Sequence, residues 1–484
     1  MGDSIAVRSG DVMQRANIFG MLATVGRLVL AMCSALPLVA QEEASPQRPP
    51  HIVLFLADDL GYGDVGFHGS TIPTPRIDSL AAQGARLEQF YVQPVCSPTR
   101  AALLTGRYPM RLGLQCGVVR PWATHGLPLE ERTLANALRE VGYTTAICGK
   151  WHLGHASEAQ LPTRRGFDLQ YGLYNGAIDY FTHRRDGGHD WHDGDRASDD
   201  EGYATDLLAD RAIAILAEHD KENPLFLYVP FNAPHSPLQA PKEWIEKFAG
   251  IENRQQRIYA AMVASMDAAI GRILDALTEH GFASEQTLVL FLSDNGGIAA
   301  FGSNGPFRGQ KGRLYEGGIR VPAVARWTGR IEAGRVVDIP LHVTDLYPTL
   351  LRLAGAKSEQ RTPLDGRDVW ASITTAATAP DREILHNLTP WSGALRMGRY
   401  KLVHNGDSPA NATAGPKTDR YELFDIVADP GEQRDLATAE PDLLSAMRAR
   451  LEELRAEAKP PVILPNEAPA GFVVPKVWGE KGTK

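Results

Sequence analysis

Cysteine is scarce: the 484-residue chain has four, and Cys33 falls in an apolar N-terminal segment, so a processed chain keeps Cys96, Cys116 and Cys148. Three cysteines exclude a disulfide-built scaffold. Cys116 and Cys148 read as small buried side chains, with a single bond between them open in an oxidising compartment. Positive charge is also short, since 50 lysines and arginines against 58 aspartates and glutamates leave a formal charge of -8. That balance excludes the broad basic face that nucleic acid or an anionic membrane requires, so any anion site must be built locally. Neither low-complexity tracts nor internal repeats occur. A bilayer-spanning run is lacking too, because roughly 20 apolar residues are needed and Arg27 interrupts the N-terminal stretch. What the N-terminus does hold is Arg15 and Arg27, then the apolar residues 28–40, then the polar residues 41–50. This is the layout of a signal peptide ending near Ala40. A secreted or periplasmic protein is expected, lysosomal in a eukaryotic host, with no membrane attachment in mature form.

With 43% hydrophobic and 22% charged residues the composition is that of a globular chain, long enough for a large α/β domain and a smaller companion. Short apolar runs at 52–56, 144–148, 225–229 and 288–292 read as buried parallel strands. Helical periods lie between them at 131–141, 203–218 and 257–280, the last marked by Ile258, Met262, Met266, Ile270, Ile273 and Leu277. The alternation predicts a mixed, mostly parallel sheet sandwiched by helices, with ligands bound beyond the carboxyl ends of the strands. Those ends carry chemistry: Asp58 and Asp59, then Lys150 and His152, then His235, then Asp294 and Asn295. Their convergence on one edge points to one active site. Beyond residue 380, alternating stretches at 393–403 and 421–426 precede a helical period at 441–456, predicting a smaller C-terminal antiparallel sheet plus helix. The expected division is a signal peptide over 1–40, a catalytic domain over 48–380, a subdomain over 381–460 and an extended tail over 461–484.

Gly61, Gly63 and Gly66 satisfy the dinucleotide pattern G-x-G-x-x-G, but Asp58 and Asp59 would repel a pyrophosphate and FHGSTIPTP cannot open the required helix. The glycines therefore read as a tight turn. Alone, Asp58 and Asp59 would be a polar strand exit. With Asp294 and Asn295 they form an all-oxygen set suited to a hard divalent cation, calcium ahead of zinc or magnesium. Cys96 lies at or just before the N-terminus of a helix that Pro98 and Thr99 can open. An activated thiolate near Arg100 and a buried inert thiol are both open readings. Asp179, His183, His189, Trp191 and His192 cluster in the segment 175–199, either a sugar-binding loop or a solvated insertion. Asn387-Leu388-Thr389 and Asn411-Ala412-Thr413 fit the glycosylation pattern.

Cys96-Ser97-Pro98-Thr99-Arg100, followed by Leu104-Thr105-Gly106-Arg107, resembles the type I sulfatase signature C-x-P-S/T-R…L-T-G-R. The resemblance continues through ADDLGYGDVGFHG, GKWHLG, APHSP, SDNGG, RGQKGRLYEGGIRVP and YELFDIVADPGEQRDLA. It implies an alkaline-phosphatase-like fold, one calcium ion per chain, and conversion of Cys96 to formylglycine (3-oxoalanine) by a maturation enzyme. LPTRRGFD, DYFTH and PLFLYVPFNAPHSPLQAP are most similar to the arylsulfatase B branch, which acts on sulfated N-acetylgalactosamine. A sulfated sugar or aryl sulfate is the implied substrate.

The resemblance also implies roles. A formylglycine hydrate at position 96 attacks sulfur and forms a sulfo-enzyme intermediate, with Arg100 and Lys150 stabilising the diol and His152 taking the second hydroxyl proton. Asp294 accepts the first proton and, with Asp58, Asp59, residue 96 and Asn295, touches the metal. Lys311 and His235 grip the sulfate and protonate the leaving oxygen. Asp179, His183 and Trp191 are the candidate sugar contacts. The rival readings are a phosphoester or phosphonate hydrolase of the same superfamily, against which Asn295 and Lys311 speak, and a catalytically silent protein that binds sulfated glycans.

Overall fold

The computed structural model describes residues 48–358, 361–375, 382–409 and 414–480; the segment 1–40 expected to be a signal peptide and the sequon at 411–413 lie outside them. The main sheet has ten strands: β1 (His51–Ala57), β2 (Ala85–Leu87), β3 (Thr144–Cys148), β4 (Leu169–Gly172), β5 (His192–Asp193), β6 (Arg196–Ala197), β7 (Leu225–Pro230), β8 (Thr287–Ser293), β9 (Ala323–Arg326) and β10 (Arg335–Val337). Their spatial order is β10-β2-β9-β8-β1-β7-β3-β4-β5-β6. The centre is parallel, with Ile52 opposite both Phe226 and Leu288, while β9 and β5 turn the flanks antiparallel.

β1 is apolar throughout its middle because both of its faces are covered. Ile52, Leu54 and Leu56 enter a core built with α2 (Cys96–Thr105), and Val53, Phe55 and Ala57 enter another on the opposite face. Further helices follow the same division. Residues 134–139 and 346–353 join the first layer, and α1 (Pro75–Gln83) with residues 204–218 and 254–279 joins the second. Beyond the main sheet, β11 (Glu383–His386), β12 (Gly393–Met397), β13 (Tyr400–His404) and β14 (Tyr421–Asp425) form an antiparallel sheet, packed by the helix α3 (Pro441–Ala456). Tyr108 and Met110 of the main body share its core with Leu395, Leu402, Met447 and Leu451.

Several expectations need correcting. The helix predicted over 131–141 is only Leu134–Arg139, because Thr133 caps it by accepting from Asn136 N at 3.0 Å, and Gly142, at φ +91°, lies beyond its end. The stretch 393–403 is two strands, divided at Gly398, whose φ of +56° suits a tight turn. β2, β4, β5, β6, β9 and β10 are not foreseen by the sequence reading, since strands of two to four residues carry too little period to read. Cys116 and Cys148 are free thiols. Asn387 is only 2% exposed, so the sequon at 387 is closed to a glycan in the folded chain. No α-helix follows the glycine pattern directly; Gly66–His68 is a single 3-10 turn, and a Cβ on Gly61 would come within 2.2 Å of the Ser303 carbonyl. Those glycines admit a neighbouring loop.

Candidate active site

Strand pairing brings the polar strand exits together. Asp294 N donates to Ala57 O at 3.0 Å, so the ends of β8 and β1 are bonded, and Asp58 N donates to Ala233 O at 3.0 Å, which draws in the loop carrying His235. Lys150 N donates to Pro230 O at 2.8 Å. Asp58, Asp59, Arg100, Lys150, Asp294 and Asn295 are all withdrawn from solvent, with Cys96 and His152 nearly so. Such burial of charge is tolerated only where partners are supplied.

The partners form a closed network. Arg100 donates through Nε and Nη2 to Asp294 Oδ2 at 3.1 and 2.8 Å, and through Nη1 to Lys150 O at 2.9 Å. Lys150 Nζ lies 2.5 Å from Asp58 Oδ2, and Lys311 Nζ lies 2.6 Å from Asp59 Oδ1. Asn295 Nδ2 donates to the same Asp59 oxygen at 2.8 Å. His235 Nε2 stands 3.7 Å from Asp59 Oδ2, and its Nδ1 hydrogen-bonds the Ser236 carbonyl at 2.5 Å. The structure thus brings together Cys96, Arg100, Lys150, His152, His235, Asp294 and Lys311 with Asp58, Asp59 and Asn295.

Burial raises the Cys96 thiol, although Lys150 and Lys311 pull the other way, so the unmodified side chain is a protonated thiol, not an activated thiolate. Burial also works to raise Asp59, yet Lys311, His235 and Asn295 outweigh it and hold the carboxyl low. Asp294 is pushed up by burial and by Asp58. His152 is kept neutral by burial and by the charges of Lys150 and Arg100. Its Nε2 faces Val119 O at 3.0 Å, which selects the Nε2–H tautomer and leaves Nδ1 unprotonated and without a partner.

Three buried oxygens in this site have no donor: Asp58 Oδ1, Asp59 Oδ2 and Asn295 Oδ1. An unmet buried acceptor costs about 1–3 kcal/mol, and a cation would satisfy all three. Ligand atoms of Asp58, Cys96 and Asp294 lie within 4.8 Å of one another, as do those of Asp58, Asp59 and His235. Hard oxygen donors of this kind fit calcium.

Sequence reasoning missed the groups that orient these residues. Ser97 Oγ donates to His152 O at 2.9 Å and accepts from Val119 N at 3.0 Å, tying α2 to the histidine. A Cβ on Gly176 would fall 2.5 Å from the His152 ring, so glycine backbone packs against the imidazole. Ser97 was visible inside the motif; Gly176 had no signal.

The sugar contacts are placed differently from expectation. Trp191 is 0% exposed, packed edge-on to Tyr171 and stacked on the buried His183 at 4.6 Å between ring centroids. Both are core groups, closed to a sugar ring. Asp179 Oδ1 accepts from the backbone of Phe181 and Thr182, and Oδ2 from Gln239, so its oxygens are engaged in shaping a turn. His189 bonds Ser198 O, and His192 stacks on Tyr174.

Comparison with known proteins agrees with this geometry. The family described as Sulfatase matches residues 50–356. Arylsulfatase J of Mus musculus is 38% identical over 85% of this chain and 76% of its own, and N-acetylgalactosamine-6-sulfatase of Mus musculus is 34% identical over 86% of each. Among solved structures, Ps i-CgsB, in complex with k-i-k-neocarrahexaose, superposes with a TM-score of 0.77 at 33% identity, covering 86% of this chain and 94% of that one. Phosphonate monoester hydrolase of Agrobacterium radiobacter, at 21% identity and a TM-score of 0.60 over 84% of this chain and 96% of that one, shares the fold. The motif, the buried charge network and these relatives together establish that the chain belongs to the sulfatase family and is a sulfuric ester hydrolase.

Proposed function

We propose that this sulfatase removes sulfate from a sulfated carbohydrate, using a formylglycine made from Cys96 by a maturation enzyme and one calcium ion held by Asp58, Asp59, Asp294, Asn295 and residue 96. The observation that carries the reading is the meeting of a buried, unactivated Cys96 with three donorless oxygens at one strand edge. When present, the cation would polarise the sulfate and the hydrated aldehyde would supply the attacking hydroxyl.

The chain's own side chains do the rest. Arg100, fixed by its bonds to Asp294 and Lys150 O, holds the Asp294 carboxylate beside residue 96. Lys150 sets positive charge beneath the nucleophile. His152, neutral and with Nδ1 free, can accept a proton there. Lys311 remains cationic: burial opposes its charge, but Asp59 more than compensates, which suits it to grip a sulfonyl oxygen. His235, with Nε2 3.7 Å from Asp59 Oδ2, stands beside the carboxylate that also pairs with Lys311 and is the remaining candidate to meet the leaving oxygen.

The finer placement, in the arylsulfatase B branch acting on sulfated N-acetylgalactosamine, is supported by DYFTH and PLFLYVPFNAPHSPLQAP, and a galactosamine sulfatase stands among the relatives. Export after removal of residues 1–40 belongs to the same reading, and the first peptide of the processed chain tests it. So does the division into a catalytic domain over 48–380, a subdomain over 381–460 and a tail over 461–484.

The deciding experiment measures sulfate release from a panel of sulfated monosaccharides, glycosaminoglycan oligosaccharides and an aryl sulfate, and phosphate release from the matching aryl phosphate, with calcium and with Cys96 conversion verified by peptide mass. Release from galactosamine 4-sulfate is expected. Turnover of aryl sulfate with no saccharide turned over would overturn the carbohydrate reading, and greater efficiency on an aryl phosphate would overturn the sulfate reading.

A further inference from the structure

Arg120 is a half-buried guanidinium for which no carboxylate partner is found among the described residues. Its one hydrogen bond is to a neutral amide, from Nη2 to Asn466 Oδ1 in the C-terminal tail. Leaving a charge partly out of water beside a neutral partner is unfavourable unless an anion arrives from elsewhere.

Its position says where that anion would come from. The preceding residue, Val119, donates through N to Ser97 Oγ and accepts through O from His152 Nε2, both at 3.0 Å. Arg120 therefore emerges from the segment bonded to the neighbour of Cys96 and to His152, at the lip of the site. Burial weakens its charged form, and Arg185, on the neighbouring hairpin, is already paired with Asp186 at 3.2 Å. Trp122, two residues on, leaves its indole N–H without a partner and turns its ring toward Phe472 at 6.2 Å.

The tail builds the far wall of this place. Trp478 N donates to His189 O at 2.9 Å, His189 N donates to Lys476 O at 2.8 Å, and the Trp478 indole donates to Arg185 O at 3.0 Å. The hairpin carrying Arg185 is thus fastened to the same segment that anchors Arg120.

We propose that Arg120 forms a subsite for a second anionic group of the substrate, a sulfate or carboxylate on the same saccharide as the sulfate that is cleaved. Asn466 is a positioning residue that aims the Arg120 guanidinium. The inference rests on the carbohydrate reading and narrows it to multiply anionic sugars.

The test crosses two substrates with two proteins: disulfated and monosulfated galactosamine disaccharides that differ only by a sulfate on the neighbouring sugar, and wild type and Arg120→Gln. Charge-assisted arginine contacts are among the stronger hydrogen bonds, so wild type should favour the disulfated sugar by about tenfold or more in kcat/KM, carried by KM and reduced by salt. In R120Q the two sugars should come within about threefold, since glutamine keeps a donor but not the charge. Asn466→Ala, in the exposed tail, should reduce the preference in the same direction and serves if R120Q does not fold. A wild type without the preference overturns the subsite, as does either folded variant that retains it in full. If aryl sulfate is hydrolysed and no saccharide is, the carbohydrate reading falls and the subsite with it; undiscriminating saccharide turnover overturns the subsite alone.

Discussion

Asp58 Oδ1, Asp59 Oδ2 and Asn295 Oδ1 are acceptors that folding removes from water without giving them a donor, and this is what separates the site from an ordinary salt-bridge cluster. Calcium should therefore raise the thermal midpoint, by a stabilisation of about 2.7 kcal/mol at a hundredfold excess over Kd. Asp59→Asn should lose most of that shift together with most of the sulfatase activity, while its cation-free unfolding remains cooperative. Calorimetry with chelator and with added calcium reads the effect, and a midpoint indifferent to calcium would count against the cation. At this scale the sequence was a good guide wherever the residue sat in a motif at a strand end. It was a poor guide in the segment 175–199, where histidine and tryptophan suit a sugar loop and a packed core equally well. Only burial separates the two, and Trp191 is buried.

The loop that presents Lys311 is held from behind by the smaller sheet. Glu316, a few residues on, meets Lys401 of β13 at 2.9 Å and the Tyr91 hydroxyl at 2.7 Å, while Lys401 also reaches Glu432 at 2.8 Å. Two buried carboxylates thus share one ammonium. Burial and the Glu316 charge raise Glu432, whereas for Glu316 burial is outweighed by Lys401 and Arg320, which hold it low. A carboxyl raised on folding binds its proton more tightly in the native state. Its stabilisation is present below the unfolded glutamate value of about 4.3 and is lost as pH rises through the folded value. Glu432→Gln removes this titration, so wild type should lose stability relative to E432Q by about 1–3 kcal/mol on going from acidic to mildly alkaline pH. Urea unfolding of both proteins across that range checks the sign; a constant difference would show that folding leaves the Glu432 carboxyl unshifted. The strands of this sheet were legible as alternating stretches, but the contact of Glu316 with Lys401, 85 residues apart, was not.

At the level of the molecule, the smaller sheet does not stand apart from the larger. Leu451 of α3 is fully buried in a cluster that includes Tyr108 and Met110, which follow α2 in the main body. Leu451→Ala should cost about 2–5 kcal/mol and lower the midpoint of a single transition, followed by circular dichroism and by loss of activity together. A separate early transition would instead show the smaller sheet unfolding alone. The sequence by itself determined the parallel centre of the large sheet, the alternation of the small one, the helix that begins at Cys96 and the set of polar strand exits. These depend on period, capping and local spacing, which a linear chain displays directly. The tertiary structure alone decided that Trp191 and His183 face inward, that β9 and β2 extend the sheet antiparallel, that a tail without regular structure fastens the rim of the site, and that Arg120 reaches that rim with no carboxylate partner among the described residues. Each of these is settled by which distant groups exclude water from one another, and that depends on the packed chain as a whole.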